Sequence, residues 1–226
     1  MTAFNWQKQS EQTWDEGAAN WSERSANMWN HGSRKKIIPF IEQHLAQGAN
    51  MLDVGCGDGY GTYRLSKSGY QVTGVDLSGE MIARAKERLR GEPISLIQGN
   101  VLQLPFENNH FDGVMAINVL EWTEVPAQAL IELHRILKKD GLMFVGILGP
   151  TAGPRANSYR RVYGEEVVCN TMMPWEFQQL ALEHGLEYVE GFGVHKRGVQ
   201  IDGQQLPLEL KQALSFMWVF MLRKLK

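Results

Sequence analysis

Asp53-Val54-Gly55-Cys56-Gly57-Asp58-Gly59-Tyr60-Gly61 is the segment from which the architecture of this chain follows. Glycine stands at four alternate positions in it. The segment before it, Ala49–Gly55, is a short apolar run that reads as a buried strand, and Thr62–Ser68 after it reads as a helix. A strand, a glycine run and a helix form a place where the backbone turns sharply and lies close against a ligand. The N–H groups at the helix start are then free to hold an anionic group. A turn with no ligand would need one glycine, not four. The dinucleotide fingerprint requires a third glycine three residues after the second, where this chain has Tyr60 or Thr62. The Gly-Lys-Ser/Thr of a P-loop is missing as well.

Working outward, strand and helix patterns alternate. Tyr70–Asp76 is strand-like, and Ser78 with Glu80 offers a cap and a first-turn acid for a helix to Arg90. Ile94–Gln98 and Phe111–Ile117 read as strands, Pro126–Leu137 as a helix with one apolar face, and Leu142–Leu148 as a strand after the Asp140-Gly141 turn. Gly149–Met173 breaks the pattern and is longer than an ordinary loop. A helix over Trp175–His184 follows, then strands over Leu186–Val194 and Ser215–Leu225 with a partly helical Ile201–Ala213 between them. The alternation predicts an α/β fold: a Rossmann-like, doubly wound sheet of about seven mostly parallel strands, helices on both faces, and an antiparallel last strand.

The 226 residues, with 23 Lys and Arg against 25 Asp and Glu, carry a formal charge of −2, which argues against a general nucleic-acid binder. Two cysteines, Cys56 and Cys169, exclude a disulfide scaffold and fit a reducing, cytoplasmic setting; Cys/His zinc spacing is absent, so no metal is expected. No signal-peptide pattern and no apolar stretch long enough to span a bilayer is visible.

The glycine stretch resembles the first motif of the class I S-adenosylmethionine-dependent methyltransferases. The resemblance continues through VTGVDLSGEMIARAKERL, GNVLQLPF, FDGVMAINVLEW and the unit ending at Leu148, about Asn50 to Leu148 in all. Its nearest flavour is the small-molecule group of ubiquinone and menaquinone biosynthesis. It implies S-adenosylmethionine as cofactor. It places Gly55, Cys56, Gly57 and Gly59 along the methionine part, Asp53 at the amino end, and Asp76 on the ribose hydroxyls. Leu77 and Met81 would pack on the adenine, with Asn100, Val101 and Leu102 at its edge, and Asn118 and Val119 would face the methionine portion. Two positions depart from the family pattern. Asn100 replaces the usual Asp, and Trp122 stands where the family often has His, so a base assigned to that histidine is lost.

Methyl transfer from a sulfonium is a direct displacement, so the protein mainly binds and orients. For a hydroxyl acceptor, His195, Tyr159, Tyr163 and Glu121 are candidate bases, each with a structural or surface role as the alternative. Arg34-Lys35-Lys36, Arg160-Arg161 and Lys196-Arg197 read as short solvated clusters, with Arg160 and Arg161 also available to an anionic acceptor. Four tryptophans fall within the first 29 residues, and Trp14, Trp21 and Met28 recur every seven, so the start reads either as a lid over the cleft or as a helix docked on the sheet. The whole, 1–226, is expected to be one methyltransferase domain: an N-terminal helical cap at 1–48, a cofactor core at 49–148, an acceptor-side loop at 149–173 and a C-terminal helix and strands at 174–226. The expected activity is methyl transfer to a small-molecule acceptor. A non-catalytic cofactor-binding scaffold and an RNA methyltransferase are the alternatives.

Overall fold

A computed structural model describes residues 4–199 and 205–225. Seven strands form one sheet in the order β3-β2-β1-β4-β5-β7-β6. They are β1 (Asn50–Val54), β2 (Gln71–Asp76), β3 (Ser95–Gln98), β4 (Phe111–Ile117), β5 (Leu137–Leu148), β6 (Leu186–Val194) and β7 (Met217–Lys224). The first five pair in parallel, and β7 runs antiparallel between β5 and β6. The expected sheet is therefore present, with one difference: β5 starts at Leu137, so Asp140 (φ 60°) and Gly141 lie inside its span. The Phe111–Leu137 pairing, with a register shift before Gly113, draws the chain into the ladder early.

Side chains alternate across the strands and divide the core in two. Leu52, Val54, Val114, Ala116, Met143 and Val145 face α5 (Pro126–Ile136) and α6 (Pro174–Glu183), meeting Leu130, Leu133 and Phe177. Met51, Val72, Met115, Ile117 and Phe144 face α2 (Ile37–His44), Leu65 of α3 (Tyr60–Lys67) and Trp29. Helix α4 (Gly79–Arg88) starts on its expected cap, the Ser78 hydroxyl accepting the Met81 N–H at 3.0 Å. The 149–173 segment is mostly a 3₁₀ run, Gly153–Tyr163. It is tied to the end of β5 by Arg155, whose guanidinium bonds the Leu148 and Met172 carbonyls. The short α7 (Leu208–Ala213) occupies part of the expected 201–213 helix, of which 201–204 lie outside the described residues.

Helix α1 (Trp6–Asn30) extends on both sides of the Trp14, Trp21 and Met28 repeat and is mostly polar. It lies on α4 and α3 through specific polar contacts. Asp15 accepts from the Ser78 hydroxyl (2.5 Å) and the Glu80 N–H (3.1 Å), capping α4 from outside. Ser25 donates to Asp58 at 2.5 Å, and Arg88 grips the same carboxylate. No described helix is long and apolar enough to cross a membrane.

Candidate functional site

A cavity of about 410 Å³ opens at the carboxyl ends of β1, β2 and β4, where the strand order reverses direction. Ligands of open α/β sheets sit at this kind of switch point. The glycine stretch forms one wall. Gly55, Gly57 and Gly59 all have positive φ (66°, 56° and 77°), which a side chain would strain. Space is withheld there too, since a Cβ on Gly55 would fall 2.4 Å from Val119 Cγ2. Gly61 differs. It is helical, and its missing side chain leaves room for Trp29, whose Cζ2 would lie 2.4 Å from an added Cβ. Trp21 stands in the same way over Gly57.

Asp76 holds the loop from the next strand. Its Oδ2 accepts the Gly57 N–H at 2.8 Å and its Oδ1 the Ser78 N–H at 3.0 Å. Burial pushes its carboxyl up to about 6 despite those bonds. Each oxygen keeps a lone pair for a further donor. Leu77, Met81, Asn100, Val101 and Leu102 continue the lining from Asp76, and Asn118 and Val119 face it from the end of β4. Asn100 Oδ1 accepts the Leu102 N–H at 2.9 Å, an Asx turn that sets the shape of this wall. Asn118 has a φ of 58°, so the chain leaves β4 in a left-handed turn; its side chain is anchored on the Gly146 carbonyl at 3.3 Å.

The structure thus gathers most of the expected site residues around one cavity. Asp53, Cys56 and Gly59 stand behind its lining. Asp53 is buried with Oδ2 accepting from Thr62 at 2.7 Å, and burial raises its carboxyl to about 7. Burial also pushes the Cys56 thiol well up. None of the four candidate bases lines the cavity. Glu121 is fully buried and accepts the Leu148 N–H at 2.6 Å. Tyr159 and Tyr163 are 55% and 64% exposed and lie with their hydroxyls 3.4 Å apart. His195 is exposed beside the Leu214 carbonyl. Arg160 pairs with Glu165, and Arg161 donates to the Ser158 carbonyl at 3.2 Å.

The roof was only half legible in the sequence. Phe4, Trp6, Trp14 and Trp21 of the N-terminal segment line the cavity with Trp122. Trp14 meets Trp21 and Trp122 edge to face at 5.6 and 5.1 Å, and the Trp6 indole donates to the Trp122 carbonyl at 2.7 Å. The segment is therefore seated on α4 and α3 with its tryptophans at the cleft. The Trp122 indole N–H is buried with no acceptor among the described residues. Further lining residues were missed, two of them charged. Glu124 carries no motif. By its neighbours Arg34 reads as part of a solvated basic cluster, yet it is only 7% exposed and lines the cavity. A signal was present: Arg34 stands three residues ahead of Ile37, where the buried apolar face of α2 begins.

Comparison with known proteins follows the same outline. Residues 52–145 match the family model described as a methyltransferase domain. The chain is 39% identical over 99 residues to a 2-phytyl-1,4-naphtoquinone methyltransferase of Nostoc sp., covering 40% of this chain and 43% of that protein. It is 33% identical over 134 residues to a demethylmenaquinone methyltransferase of Staphylococcus aureus, covering 58% and 54%. The chain thus spans about half the length of these curated relatives. Among solved structures, the complex of the Haloferax volcanii Trm112 methyltransferase activator with a methyltransferase aligns at a TM-score of 0.76 and 17% identity, over 96% of this chain and 98% of that one.

Proposed function

We propose, from the premise that residues 52–145 are a class I methyltransferase domain, that the protein methylates a small-molecule acceptor at the tryptophan-lined end of this cavity. S-adenosylmethionine is the cofactor of this domain family, and when bound it supplies a methyl group activated on a sulfonium. The residues present fit it. Asp76 keeps acceptor capacity for a ribose diol, Leu77, Met81, Val101 and Leu102 offer an apolar slot for a purine, and the positive-φ glycines leave the loop without side chains. Catalysis by this chain is positioning and exclusion of water. The indoles of Trp14, Trp21 and Trp122 build an apolar wall whose ring faces attract cationic charge. The unpartnered Trp122 N–H is a donor for a polar atom of the acceptor.

The observation that carries this reading is that Asp76, Leu77 and Met81 line the same cavity as the indoles of Trp14, Trp21 and Trp122. The quinone methyltransferase relatives support a flat, apolar acceptor. Formation of S-adenosylhomocysteine with an acceptor panel, led by phenols and reduced quinones, tests it. Cofactor binding without turnover on any acceptor would favour the non-catalytic alternative. The Trm112 complex favours a second reading, in which an activator protein must be added before turnover is seen. RNA methylation is opposed by the charge of −2.

A further inference from the structure

We infer that Asn170 is a positioning residue for the acceptor end of the cavity, acting through the turn that carries Trp122. The inference rests on the acceptor site proposed above and names what holds its wall in place. Trp122 stands in a single 3₁₀ turn, Leu120–Trp122, at the exit from β4. One such turn has poor hydrogen-bond geometry and little stability of its own. Its carbonyls are taken by donors from distant segments. The Asn170 side-chain amide donates to the Leu120 carbonyl at 2.6 Å and to the Thr123 carbonyl at 2.7 Å. The Asn170 N–H donates to the Glu121 carbonyl at 2.9 Å. Between them the Trp122 carbonyl accepts from the Trp6 indole at 2.7 Å. Asn170 therefore brackets Trp122 on both sides, and both hydrogens of its amide are spent on that bracket.

The segment that delivers Asn170 is held under backbone strain. Thr171 has a φ of 61°, a region that a β-branched residue rarely enters. Such a conformation persists only where its surroundings over-determine it. Two contacts do so: Asn170 Oδ1 accepts the Met172 N–H at 3.0 Å, and the Met172 carbonyl accepts from Arg155 at 2.6 Å. A side chain needed only to fold its own segment would stop at the Met172 bond. Asn170 instead reaches back 50 and 47 positions to the carbonyls that flank the ring. That ring lines the cavity against Trp14, and its buried N–H has no acceptor among the described residues. Asn118, on the cofactor side of the turn, is fixed independently by the Gly146 carbonyl. A displaced turn is therefore felt at the acceptor and not at the nucleoside, whose slot is built from Asp76, Leu77 and Met81 on the β2 side.

Asn170→Asp tests it, because the Oδ1 bond to Met172 survives while both donors are lost and a carboxylate faces two carbonyls. Fluorine NMR of fluorotryptophan-labelled protein reads the clamp without any acceptor, the Trp122 resonance being assigned by its loss in Trp122→Phe. In Asn170→Asp that resonance is expected to shift or broaden while those of Trp29 and Trp218 hold. Kinetics read the consequence: kcat/KM for the phenol or reduced quinone that wild type methylates falls about 10- to 100-fold, while S-adenosylhomocysteine affinity stays within about threefold. An unmoved Trp122 resonance would overturn the inference. Equal losses of cofactor affinity and acceptor turnover would overturn it too, since they mark a general loss of fold. If Asn170→Asp fails to fold, Asn170→Ser, with one donor in place of two, takes the same measurements and is expected to show smaller changes in the same sense. Wild type inert toward every phenol and reduced quinone would instead defeat the functional reading, and the fluorine spectra would still decide the clamp.

Discussion

The fourth glycine of the loop gives the sharpest test of how helix α1 is seated. Gly61 is inside α3 and its φ is not in the left-handed region, so alanine there is free of backbone strain. On propensity alone, Gly61→Ala would stabilise the helix by about 0.5–1 kcal/mol. Packing opposes this. The new methyl would stand 2.4 Å from Trp29 Cζ2 and 3.0 Å from Cε2, against a comfortable carbon separation of about 3.5–4.0 Å. Trp29 is buried and cannot retreat without leaving its place against α2 and Arg34. Overpacking of this kind costs about 1–3 kcal/mol, so the net change is a loss of about 1–2 kcal/mol. In a Trp29→Leu background the obstacle is gone and the same substitution should become neutral or stabilising. The coupling between the two sites is then about 1–3 kcal/mol, within the range for residues in contact. Urea denaturation of the four proteins measures it. A stabilising Gly61→Ala in the wild-type background, or a coupling under about 0.5 kcal/mol, would refute the idea that this glycine exists to admit Trp29.

Other outcomes follow from the site. Asp76→Ala should weaken S-adenosylhomocysteine binding by about 1–3 kcal/mol, read by calorimetry, because charge-assisted bonds to the ribose are lost. Affinity in the wild type should be full above pH 7 and decline as the pH falls through about 6, where burial places the Asp76 proton; a flat profile from pH 5 to 8 would contradict the ribose role. Asp53 has its folded value raised from 3.8 to about 7, so the fold prefers the protonated form. Its burial therefore costs nothing below about pH 4 and progressively more as the pH rises to 7. At about 1.4 kcal/mol per pH unit, Asp53→Asn should gain up to about 3–4 kcal/mol of stability at pH 8 and little at pH 4, checked by thermal denaturation at both. Asn118→Gly should leave stability within about 1 kcal/mol, whereas Asn118→Val should lose about 1–3 kcal/mol by placing a β-branched residue at φ 58°.

The features legible from residue order are those that depend on local chemistry. The glycine stretch, the apolar runs of β1 to β5 and the Ser78 cap are short-range patterns, and each needs only its own neighbours to be read. They carried the sheet, the loop and Asp76 at the strand end. Element ends were less secure, because β5 begins at Leu137 only once Phe111 is there to pair with it. Tertiary structure alone decided which charges are buried and which residues meet. Arg34 looks like a surface cation beside Lys35 and Lys36 until Trp21 and Trp29 enclose it. Glu121, Tyr159, Tyr163 and His195 were equal candidates by residue type, and only the packing separated them from the cavity. Helix α1 shows the same division. Its tryptophans are plain in the sequence, but their seats over Gly57 and Gly61 join residues more than thirty positions apart, and shape complementarity at that range leaves no trace in local spacing.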